Sequence, residues 1–317
     1  MAFLSPTRTS EDPASHLAYV QRACHAPTPS YVLCPMLAAP LLDALIDRIL
    51  EEDLAGGDLT TEACVDESAR AVATAVARAP LVVCGAQVFR RVFERLEPAV
   101  TFEVLEPEGR AVTTGAALFR VRGLARPLLS AERTALNLVQ RMSGVATAAR
   151  TYSEALPSGS HTRITDTRKT TPGLRALERY AVRVGGAHNH RNDLGSAVLI
   201  KDNHLVAAGG IARAVERARA RAPHTSRIEV EVASLAELEE AIQSRADVIM
   251  LDNFSLADVR EAVARVHKLP GRPLIEVSGG ITLPRIAELA EAGVDLISVG
   301  ALTHSAKAAD IALDLTL

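Results

Sequence analysis

The 317-residue sequence contains no tryptophan, and phenylalanine and tyrosine together contribute only 3% of it. So few aromatic rings argue against a surface on which the bases of a single-stranded nucleic acid would stack. The sequence also lacks an excess of positive charge, because its formal net charge at pH 7 is −3. Any site for anions must therefore be local, and we expect no nucleic-acid partner.

Long apolar runs and closely spaced cysteine pairs are also missing. The longest apolar stretches, such as residues 79–85, fall far short of the roughly 18 residues that a membrane-spanning helix needs. The first ten residues lack the apolar core of a signal peptide. The four cysteines, at positions 24, 34, 64 and 84, lack the close spacing of a zinc or dithiol motif. We therefore expect a cytoplasmic protein with reduced thiols and no membrane contact.

What is present is typical of a folded α/β protein, with 48% hydrophobic and 23% charged residues. Residues 1–38 are interrupted by prolines and show no sustained periodicity, so we predict a flexible extension. Residues 39–150 begin with apolar residues at helical spacing and continue with short apolar runs between turn residues. This pattern predicts a first domain with a helix, a mainly β layer and a long connecting helix over residues 131–152.

Residues 151–302 repeat one unit, which consists of an apolar strand, a polar turn and an amphipathic helix. Six such units predict a barrel-like parallel sheet. Ser234 and Ser255 precede two of the helices and are predicted N-caps. Residues 303–317 are expected to return to the N-terminal domain. The six strands are predicted near Ile164, Val198, Ile228, Val248, Leu274 and Leu296.

Charged residues recur on the strands of this second domain. Alternation along a strand places Glu229 and Glu231 on one face and their β-branched neighbours on the other. Glu276 and Ser278 repeat this arrangement. If the apolar face meets the outer helices, the carboxylates point into the barrel. Charges there are costly unless they are paired or hold a ligand, which predicts a polar, ligand-binding funnel at the carboxyl ends of the strands.

Positive charge concentrates between residues 163 and 201, where eight lysines and arginines stand against three acids. This local excess favours a substrate with several negative charges, because a guanidinium group holds a carboxylate or phosphate through two hydrogen bonds at once. Arg175, Arg179 and Arg183 recur every four residues within this segment. For these three we predict a solvated helix face rather than a role in binding.

Two glycine turns follow the last two strands. The first is Ser278-Gly279-Gly280, which precedes a helix whose N-terminus suits a phosphate, and the second contains Gly300. In many barrels these two strand ends form one phosphate site. The sequence has neither a P-loop motif nor the glycine fingerprint of a dinucleotide-binding fold. The segment at Asp58 is interpreted as a plain helix-capping turn.

Taken together, the motifs of residues 40–317 resemble those of the quinolinate phosphoribosyltransferase family. The motifs are specific in combination rather than singly. The resemblance implies an α/β fold with an N-terminal α/β sandwich domain and a C-terminal open, TIM-like α/β barrel. The matching motifs are residues 52–61, 132–137, 165–173, 185–191, 199–204, 229–232, 250–254, 278–281 and 300–305.

The resemblance also implies a reaction and an assembly. The phosphoribosyl group of phosphoribosyl pyrophosphate is transferred to quinolinate, which loses CO2. The products are nicotinate mononucleotide and pyrophosphate, a step in the de novo synthesis of NAD. The implied cofactor is Mg²⁺. The implied partner is a second copy of the chain, in a homodimer whose active sites contain residues of both subunits.

Roles for single residues follow from the same resemblance, motif by motif. The implied clamp for the carboxylates of quinolinate consists of Arg168, His190 and Arg191, with Arg133 contributed by the neighbouring subunit. The implied catalytic residues are Lys169, Lys201, Glu231 and Asp252. The two lysines neutralise anionic groups, whereas the two acids lie near the ribose and hold Mg²⁺ directly or through water. The residues implied for the 5′-phosphate are Ser278, Gly279, Gly280 and Gly300.

The sequence departs from the family pattern in three places. Ser196 replaces an acid of the family's pocket, Arg141 stands where many members carry histidine, and residues 1–38 have no evident counterpart. None of these departures removes a residue with an implied catalytic role. Ser196 puts the rate or the metal geometry in question.

Three alternatives to this function stay open. A related barrel family, found with molybdenum-transport genes, shares part of the motifs but differs around residues 199–204. A lyase or aldolase would use Lys201 to form a Schiff base with a carbonyl substrate. A ligand sensor that has lost the activity is motivated by Ser196 alone.

Overall fold

The computed structural model describes residues 38–317. The predicted flexible extension therefore lies outside the described residues, apart from Ala38. None of the helices described from residue 38 onward is long and apolar enough to cross a membrane. Over the same range Cys64 is exposed, Cys84 is buried, and both are free thiols.

The chain begins with helices and a group of short strands. Asp58 is the N-cap of the second helix and accepts a hydrogen bond from the backbone N–H of Thr61 at 3.0 Å, as the capping turn predicts. Phe89, Phe93 and Phe119 are buried against one another and form the centre of this part of the core. The elements are α1 (Ala39–Leu54), α2 (Leu59–Cys64), β1 (Arg70–Ala77), β2 (Leu81–Val82), α3 (Ala86–Leu96), β3 (Thr101–Val104), β4 (Ala111–Val112) and β5 (Ala117–Leu124).

A long helix, α4 (Ala125–Glu154), connects the two parts of the chain. It begins at Ala125 rather than at residue 131, because Pro127 lies in its first turn, where a missing N–H breaks no helical hydrogen bond. Gly144 of α4 is crossed by a later segment. A Cβ at this glycine would lie 2.0 Å from the carbonyl oxygen of Lys307. The helix therefore packs in close backbone contact with the end of the chain.

The second part is a parallel sheet with helices between the strands. Its six strands are hydrogen-bonded in the order β6-β11-β10-β9-β8-β7, and all neighbours are parallel. The predicted α/β fold with a barrel-like sheet is therefore confirmed. The elements are β6 (Arg163–Thr165), α5 (Arg175–Val184), β7 (Val198–Ile200), α6 (Asp202–Ala208), α7 (Ile211–Arg221), β8 (Ile228–Val232), α8 (Leu235–Gln243), β9 (Val248–Asp252), α9 (Leu256–Val266), β10 (Leu274–Ser278), α10 (Arg285–Glu291), β11 (Leu296–Ser298) and α11 (Ala301–His304).

Two details of this part agree with the sequence analysis. Ser234 and Ser255 are N-caps of α8 and α9, and each hydroxyl accepts a backbone N–H at 3.2 Å. The sheet is also curled into an open barrel. His188 forms an isolated parallel bridge with Thr165 on the free edge of β6, and the segment that carries it reaches side chains of β8 and β10.

The last strand, β12 (Ile311–Thr316), returns to the first sheet. It pairs antiparallel with β1, which gives a four-stranded sheet in the order β12-β1-β5-β3. Gln140 on α4 makes two hydrogen bonds with the residues at the start of this strand. Its side-chain amide donates to the carbonyl of Ile311 at 2.7 Å, and its backbone carbonyl accepts the N–H of Ala309 at 2.8 Å. The last strand of the described chain therefore belongs to the same sheet as the first strand.

An ion pair joins two strands at the amino-end edge of the barrel. Arg272 precedes β10 and makes two hydrogen bonds, of 2.7 and 2.8 Å, with Asp295, which precedes β11. Asp295 also accepts the N–H of Ile275 at 2.8 Å. Burial opposes the ionisation of Asp295, but these hydrogen bonds and the charge of Arg272 outweigh it, so the pKa of Asp295 lies below its ordinary value.

Candidate functional site

The predicted site residues of the barrel gather at one edge of the sheet. Because all six strands are parallel, their carboxyl ends lie together at this edge. Asp252 and Ser278 are register partners on neighbouring strands. The residues at or just beyond the strand ends are Arg168 and Lys169 after β6, Lys201 after β7, Glu231 on β8, Asp252 on β9, Ser278 on β10 and Gly300 after β11.

Two arginines at this edge, Arg168 and Arg191, differ in their partners. Nη1 of Arg191 donates to the carbonyl of Ala197 at 3.2 Å. The Nε of Arg168 is buried and has no hydrogen-bond partner within residues 38–317. Burial and the charge of Arg168 lower the pKa of Arg191. Neither forms an ion pair in the described part of the chain. Such a pair of cations is a ready site for a carboxylate or a phosphate.

Lys169 lies against the glycine turn after β11. A Cβ at Gly300 would be 3.0 Å from Cδ of Lys169, so a larger residue there would crowd the lysine stem. The carbonyl of Lys169 accepts a hydrogen bond from the hydroxyl of Thr303 at 2.8 Å. The loop after β6 and the turn after β11 therefore form one local unit.

Lys201 and Glu231 form an ion pair at the same edge, with Nζ donating to Oε2. The side chain of Lys201 is 45% exposed and that of Glu231 is 14% exposed. The pair therefore lies at the rim of the barrel, where a ligand can reach the lysine. It also joins the ends of β7 and β8.

The glycine turn after β10 is shaped by Asn253. Gly279 has φ +86°, and a Cβ there would lie 2.3 Å from Oδ1 of Asn253. Asn253 itself has φ +56°, a left-handed conformation that asparagine tolerates better than most residues. Its side-chain amide donates to Asp252 at 2.8 Å, and its backbone N–H donates to the carbonyl of Ser278 at 3.1 Å. Asn253 therefore fixes Asp252 relative to the turn.

A layer below the rim, the barrel interior holds acids, as strand alternation predicts. Glu229 of β8 and Glu276 of β10 are 7% and 1% exposed. Nε2 of His190 lies 3.2 Å from a carboxylate oxygen of Glu229 and 3.5 Å from one of Glu276. The hydroxyl of Ser298 also donates to Glu276. Burial and the charge of Glu276 raise the pKa of Glu229.

The group formed by His190, Glu229 and Glu276 has ligand atoms within 4.8 Å of one another, a spacing that also suits a metal ion. However, Nδ1 of His190 accepts the backbone N–H of Arg191 at 2.8 Å, so the ring proton is on Nε2, which cannot then bind a metal. Burial lowers the pKa of His190, but the two carboxylates outweigh it and raise that pKa to about 10. The two carboxylates therefore favour a proton on Nε2, the ring nitrogen that faces them. The group is a hydrogen-bonded network that orients the imidazole.

Asp166 holds the segment that carries His190 and Arg191. It is fully buried and accepts hydrogen bonds from the N–H of His190 at 2.7 Å and from the amide of Asn189 at 2.6 Å. Arg179 of α5 lies 3.3 Å from the same carboxylate. Burial raises the pKa of Asp166, although the charge of Arg179 opposes this effect.

The prediction of a solvated arginine face on α5 is therefore wrong. Arg179 pairs with Asp166 and is only 12% exposed, and Arg183 donates to the side chain of Asn189. Arg175 donates to the hydroxyl of Thr170 at 3.0 Å. The spacing of four residues is the same for a solvated face and for a face that packs on a polar loop. Here the buried carboxylate of Asp166 needs a cation, and α5 supplies it.

Two predicted features lie apart from these contacts. Arg133 is exposed on α4 and makes no hydrogen bond or ion pair with another predicted site residue within residues 38–317. Ser196 lies in an exposed turn, where its hydroxyl accepts the N–H groups of Asn192 and Asp193 at 3.0 and 3.2 Å. Serine at this position therefore stabilises a turn and supplies no charge to the pocket.

The sequence analysis misses several contacts that shape this edge. The interior position of Glu229 and Glu276 follows from strand alternation, but their shared partner His190 does not. Asn253 carries a signal, since asparagine after a strand end often adopts the left-handed conformation. The role of Asp166 depends on a fold contact that no local pattern encodes.

The fold and this edge define a class: a parallel α/β barrel enzyme that binds phosphorylated and carboxylated substrates. Residues 58–143 match the family described as quinolinate phosphoribosyl transferase, N-terminal domain, and residues 145–314 match its C-terminal domain. The chain belongs to the quinolinate phosphoribosyl transferase family, as its motifs predict.

Individual relatives agree with this assignment. The chain is 44% identical over 273 residues to the nicotinate-nucleotide pyrophosphorylase [carboxylating] of Mycobacterium leprae, a match that covers 85% of this chain and 95% of the relative. It is 39% identical over 284 residues to the enzyme of the same name from Homo sapiens, covering 89% and 94%. The solved structure of the nicotinate-nucleotide pyrophosphorylase from Francisella tularensis superposes with a TM-score of 0.83 at 38% identity, covering 88% of this chain and 98% of that one.

Proposed function

We propose that this protein transfers the phosphoribosyl group of phosphoribosyl pyrophosphate to the ring nitrogen of quinolinate and releases CO2. The products are nicotinate mononucleotide and pyrophosphate, as in the synthesis of NAD. Membership of the quinolinate phosphoribosyl transferase family confirms the enzyme class that the motifs predict. The observation that carries the proposal is the cluster of cations at one rim of the barrel: Arg168 has a buried Nε without a hydrogen-bond partner within residues 38–317, and Lys169 lies against the glycine turn at Gly300.

Quinolinate, a dicarboxylate, binds at the arginine pair. Arg168 and Arg191 present planar guanidinium groups that each hold one carboxylate in bidentate geometry. His190 lies next to them and is oriented from below by two buried acids. Lys169 adds a further positive charge from the exposed side of the loop.

The 5′-phosphate of the second substrate binds at the two glycine turns. Gly279 and Gly280 both have left-handed conformations, which belong to the kind of turn that forms anion nests. Ser278 adds a hydroxyl, and Gly300 lies beside Lys169 on the neighbouring strand end. This arrangement puts the phosphate and the pyridine dicarboxylate on adjacent parts of one rim.

Glu231 and Asp252 lie at the ends of the neighbouring strands β8 and β9. Carboxylates at this place favour the positive charge that develops at the anomeric carbon as pyrophosphate leaves. Each keeps one oxygen that makes no hydrogen bond within residues 38–317, and carboxylate oxygen is a preferred ligand of Mg²⁺. The two residues therefore fit a Mg²⁺ ion, held directly or through water, and such an ion would offset the charge of the departing pyrophosphate.

Decarboxylation then needs little from the protein beyond position. Once its nitrogen is alkylated the pyridine ring is cationic, and this charge stabilises the carbanion left on the adjacent carbon when CO2 departs. That carbon then takes up a proton from water. The arginine pair holds the ring in place through the remaining carboxylate. We assign the chain to the cytoplasm and to a homodimer, in which the exposed and unpaired Arg133 reaches the site of the neighbouring subunit.

Lys201 favours this function over a Schiff-base lyase. Its ammonium donates to Glu231, and this ion pair requires the protonated form, whereas a Schiff base forms from the neutral amine. A sensor without activity has little support, because Ser196 only caps an exposed turn.

The direct test is turnover. Purified protein is incubated with quinolinate, phosphoribosyl pyrophosphate and Mg²⁺, and nicotinate mononucleotide, pyrophosphate and CO2 are measured together. We expect all three in equal amounts with the wild type. Arg168→Ala and Lys201→Ala, both at the solvent-reachable rim, should remain folded by circular dichroism and lose activity. A folded wild type that forms none of the products, or either variant with wild-type turnover, would contradict the proposed roles.

A further inference from the structure

Arg141, which replaces the histidine of many family members, has no role in the functions described so far. It lies on α4, and its side chain is 21% exposed. Its guanidinium group donates to the carboxylate of Glu178 at 2.7 and 2.9 Å, to the carbonyl of Thr303 at 2.5 Å and to that of Ala306 at 2.8 Å. Nη2, which donates to Glu178 and Thr303, also lies 3.3 Å from the hydroxyl of Thr171.

Some of these hydrogen bonds fix the loop after β6. Glu178 on α5 is fully buried, and its carboxylate also accepts the backbone N–H and the hydroxyl of Thr171 at 3.0 and 2.6 Å. Thr171 lies two residues beyond Lys169 and three beyond Arg168. Arg141 and Glu178 together therefore fix the end of the loop that carries the cations for quinolinate.

The remaining hydrogen bonds fix the turn after β11. Thr303 is fully buried in α11; its carbonyl accepts from Arg141, and its hydroxyl donates to the carbonyl of Lys169 at 2.8 Å. The same hydroxyl lies 3.2 Å from the carbonyl of Gly300. One guanidinium group thus contacts both the loop of Lys169 and the short helix that begins at Gly300.

We propose that Arg141 is a positioning residue that sets the separation between the quinolinate-binding loop and the phosphate-binding turn. This inference rests on the proposed function, because those two segments hold the two substrates. Arg141 touches neither substrate and acts through Glu178, Thr171 and Thr303.

An arginine suits this task for geometrical reasons. Its planar fork presents five N–H donors in fixed directions, and the acceptors around it come from three different segments of the chain. Lysine offers a single nitrogen, and histidine offers two at most. Either replacement would leave part of the cluster without a donor and would let the two segments move relative to each other.

The consequence is specific. Each substrate alone should still bind, since its own segment keeps its residues. The reaction between them should slow, because the ring nitrogen and the anomeric carbon no longer meet at the required distance. Loss should therefore appear in kcat rather than in the affinity for either substrate alone.

The test uses the full chain and two variants. Arg141→Lys keeps the positive charge beside Glu178, and Arg141→Met/Glu178→Gln removes both charges together so that no buried carboxylate is left unpaired. Calorimetric titration measures the Kd for quinolinate alone and for ribose 5-phosphate alone, and steady-state assays measure kcat. We expect kcat to fall by about tenfold or more while each Kd changes by less than about threefold.

A matched control is available at the opposite edge of the barrel. Arg272→Lys also replaces an arginine that makes two hydrogen bonds to a buried carboxylate, that of Asp295, and it should leave kcat unchanged. Thr303→Val, which removes only the hydroxyl that donates to Lys169, should lower kcat. The double variant with Arg141→Lys should lower kcat by a factor smaller than the product of the factors for the two single variants, because both substitutions act on the same hydrogen-bonded cluster.

Three outcomes would overturn the inference: an unchanged kcat in both Arg141 variants, a fall that is matched by Arg272→Lys, or a fall explained by weaker binding of quinolinate alone. The proposed function fails in a different way, through a wild type that does not turn over at all. The two failures are therefore distinguishable.

Discussion

Gly279 is the position at which one added methyl group is expected to damage the phosphate turn most. Its backbone is left-handed at φ +86°, and a Cβ would lie 2.3 Å from Oδ1 of Asn253. Alanine in a left-handed conformation is about 1 kcal/mol less favourable than glycine. The amide of Asn253 must also move and lose its hydrogen bond to Asp252, which costs about 1 kcal/mol more. We expect Gly279→Ala to lower the free energy of unfolding by about 2 kcal/mol, and the Tm by about 4 °C.

Gly280→Ala is the matched control. Gly280 is also left-handed, at φ +55°, but a Cβ there would lie 3.9 Å from the same oxygen of Asn253. Gly280→Ala should therefore cost only the backbone penalty of about 1 kcal/mol and should not displace the amide of Asn253. Because the moved amide also releases Asp252, kcat/KM for phosphoribosyl pyrophosphate should be at least about tenfold lower in Gly279→Ala than in Gly280→Ala. Calorimetry gives the Tm, and steady-state assays below that temperature give the activity.

A double-mutant cycle identifies the contact responsible. Asn253→Gly keeps the left-handed backbone and removes the amide, so Gly279→Ala on that background should cost only the backbone term. If Gly279→Ala and Gly280→Ala had the same Tm and the same activity, the contact with Asn253 would have no energetic consequence and the reasoning would be refuted. A Gly279→Ala effect of equal size with and without the amide would refute it too.

Two further predictions concern the barrel edge and the assembly. Asp295→Asn should lower the free energy of unfolding at pH 7 by about 3 kcal/mol, because it leaves the partly buried Arg272 without its counter-ion. The pKa of Asp295 is depressed in the folded state, so the carboxylate stabilises above its unfolded value of about 4 and this contribution is lost as the pH falls through the folded pKa. Urea denaturation should therefore show the gap between wild type and variant narrowing as the pH is lowered below about 4, and a gap independent of pH would contradict this account. Mixing Arg133→Ala with Lys201→Ala chains should restore activity to about one quarter of wild type, since half of randomly paired dimers are mixed and each has one intact site. Mixed dimers without activity would count against shared sites.

The repeating units of the barrel could be predicted because they obey local periodicities. Strand alternation placed Glu229 and Glu276 in the interior, and both are buried there. Serine before an amphipathic run predicts an N-cap because the hydroxyl bonds within its own first turn, and Ser234 and Ser255 do so. Each of these predictions depends on neighbours within a few residues along the chain.

Contacts between distant segments could not be predicted in this way. Arg179 and Arg183 look like a solvated face because their spacing does not reveal that Asp166 and Asn189 lie opposite them. The hydrogen bonds of Arg141 likewise join three segments that lie far apart in the sequence. The burial of charged side chains is the hardest feature to predict from sequence, because the same side chain is stable both in water and in a buried ion pair.

The buried acids explain how a rim with unused cations folds without a ligand. The charge of Arg168 lowers the pKa of Arg191, so the two cations repel each other. Glu229 lies on the same strand face as Glu231 but one layer deeper, where it attracts Arg191 and yet forms no ion pair with it within the described residues. Charge interaction falls gradually with distance, whereas a hydrogen bond requires contact. Acids placed one layer down therefore offset part of the positive charge without forming an ion pair with either arginine within the described residues. At the rim itself an acid does pair with a cation, Glu231 with Lys201, and there an incoming anion must share the lysine with that carboxylate.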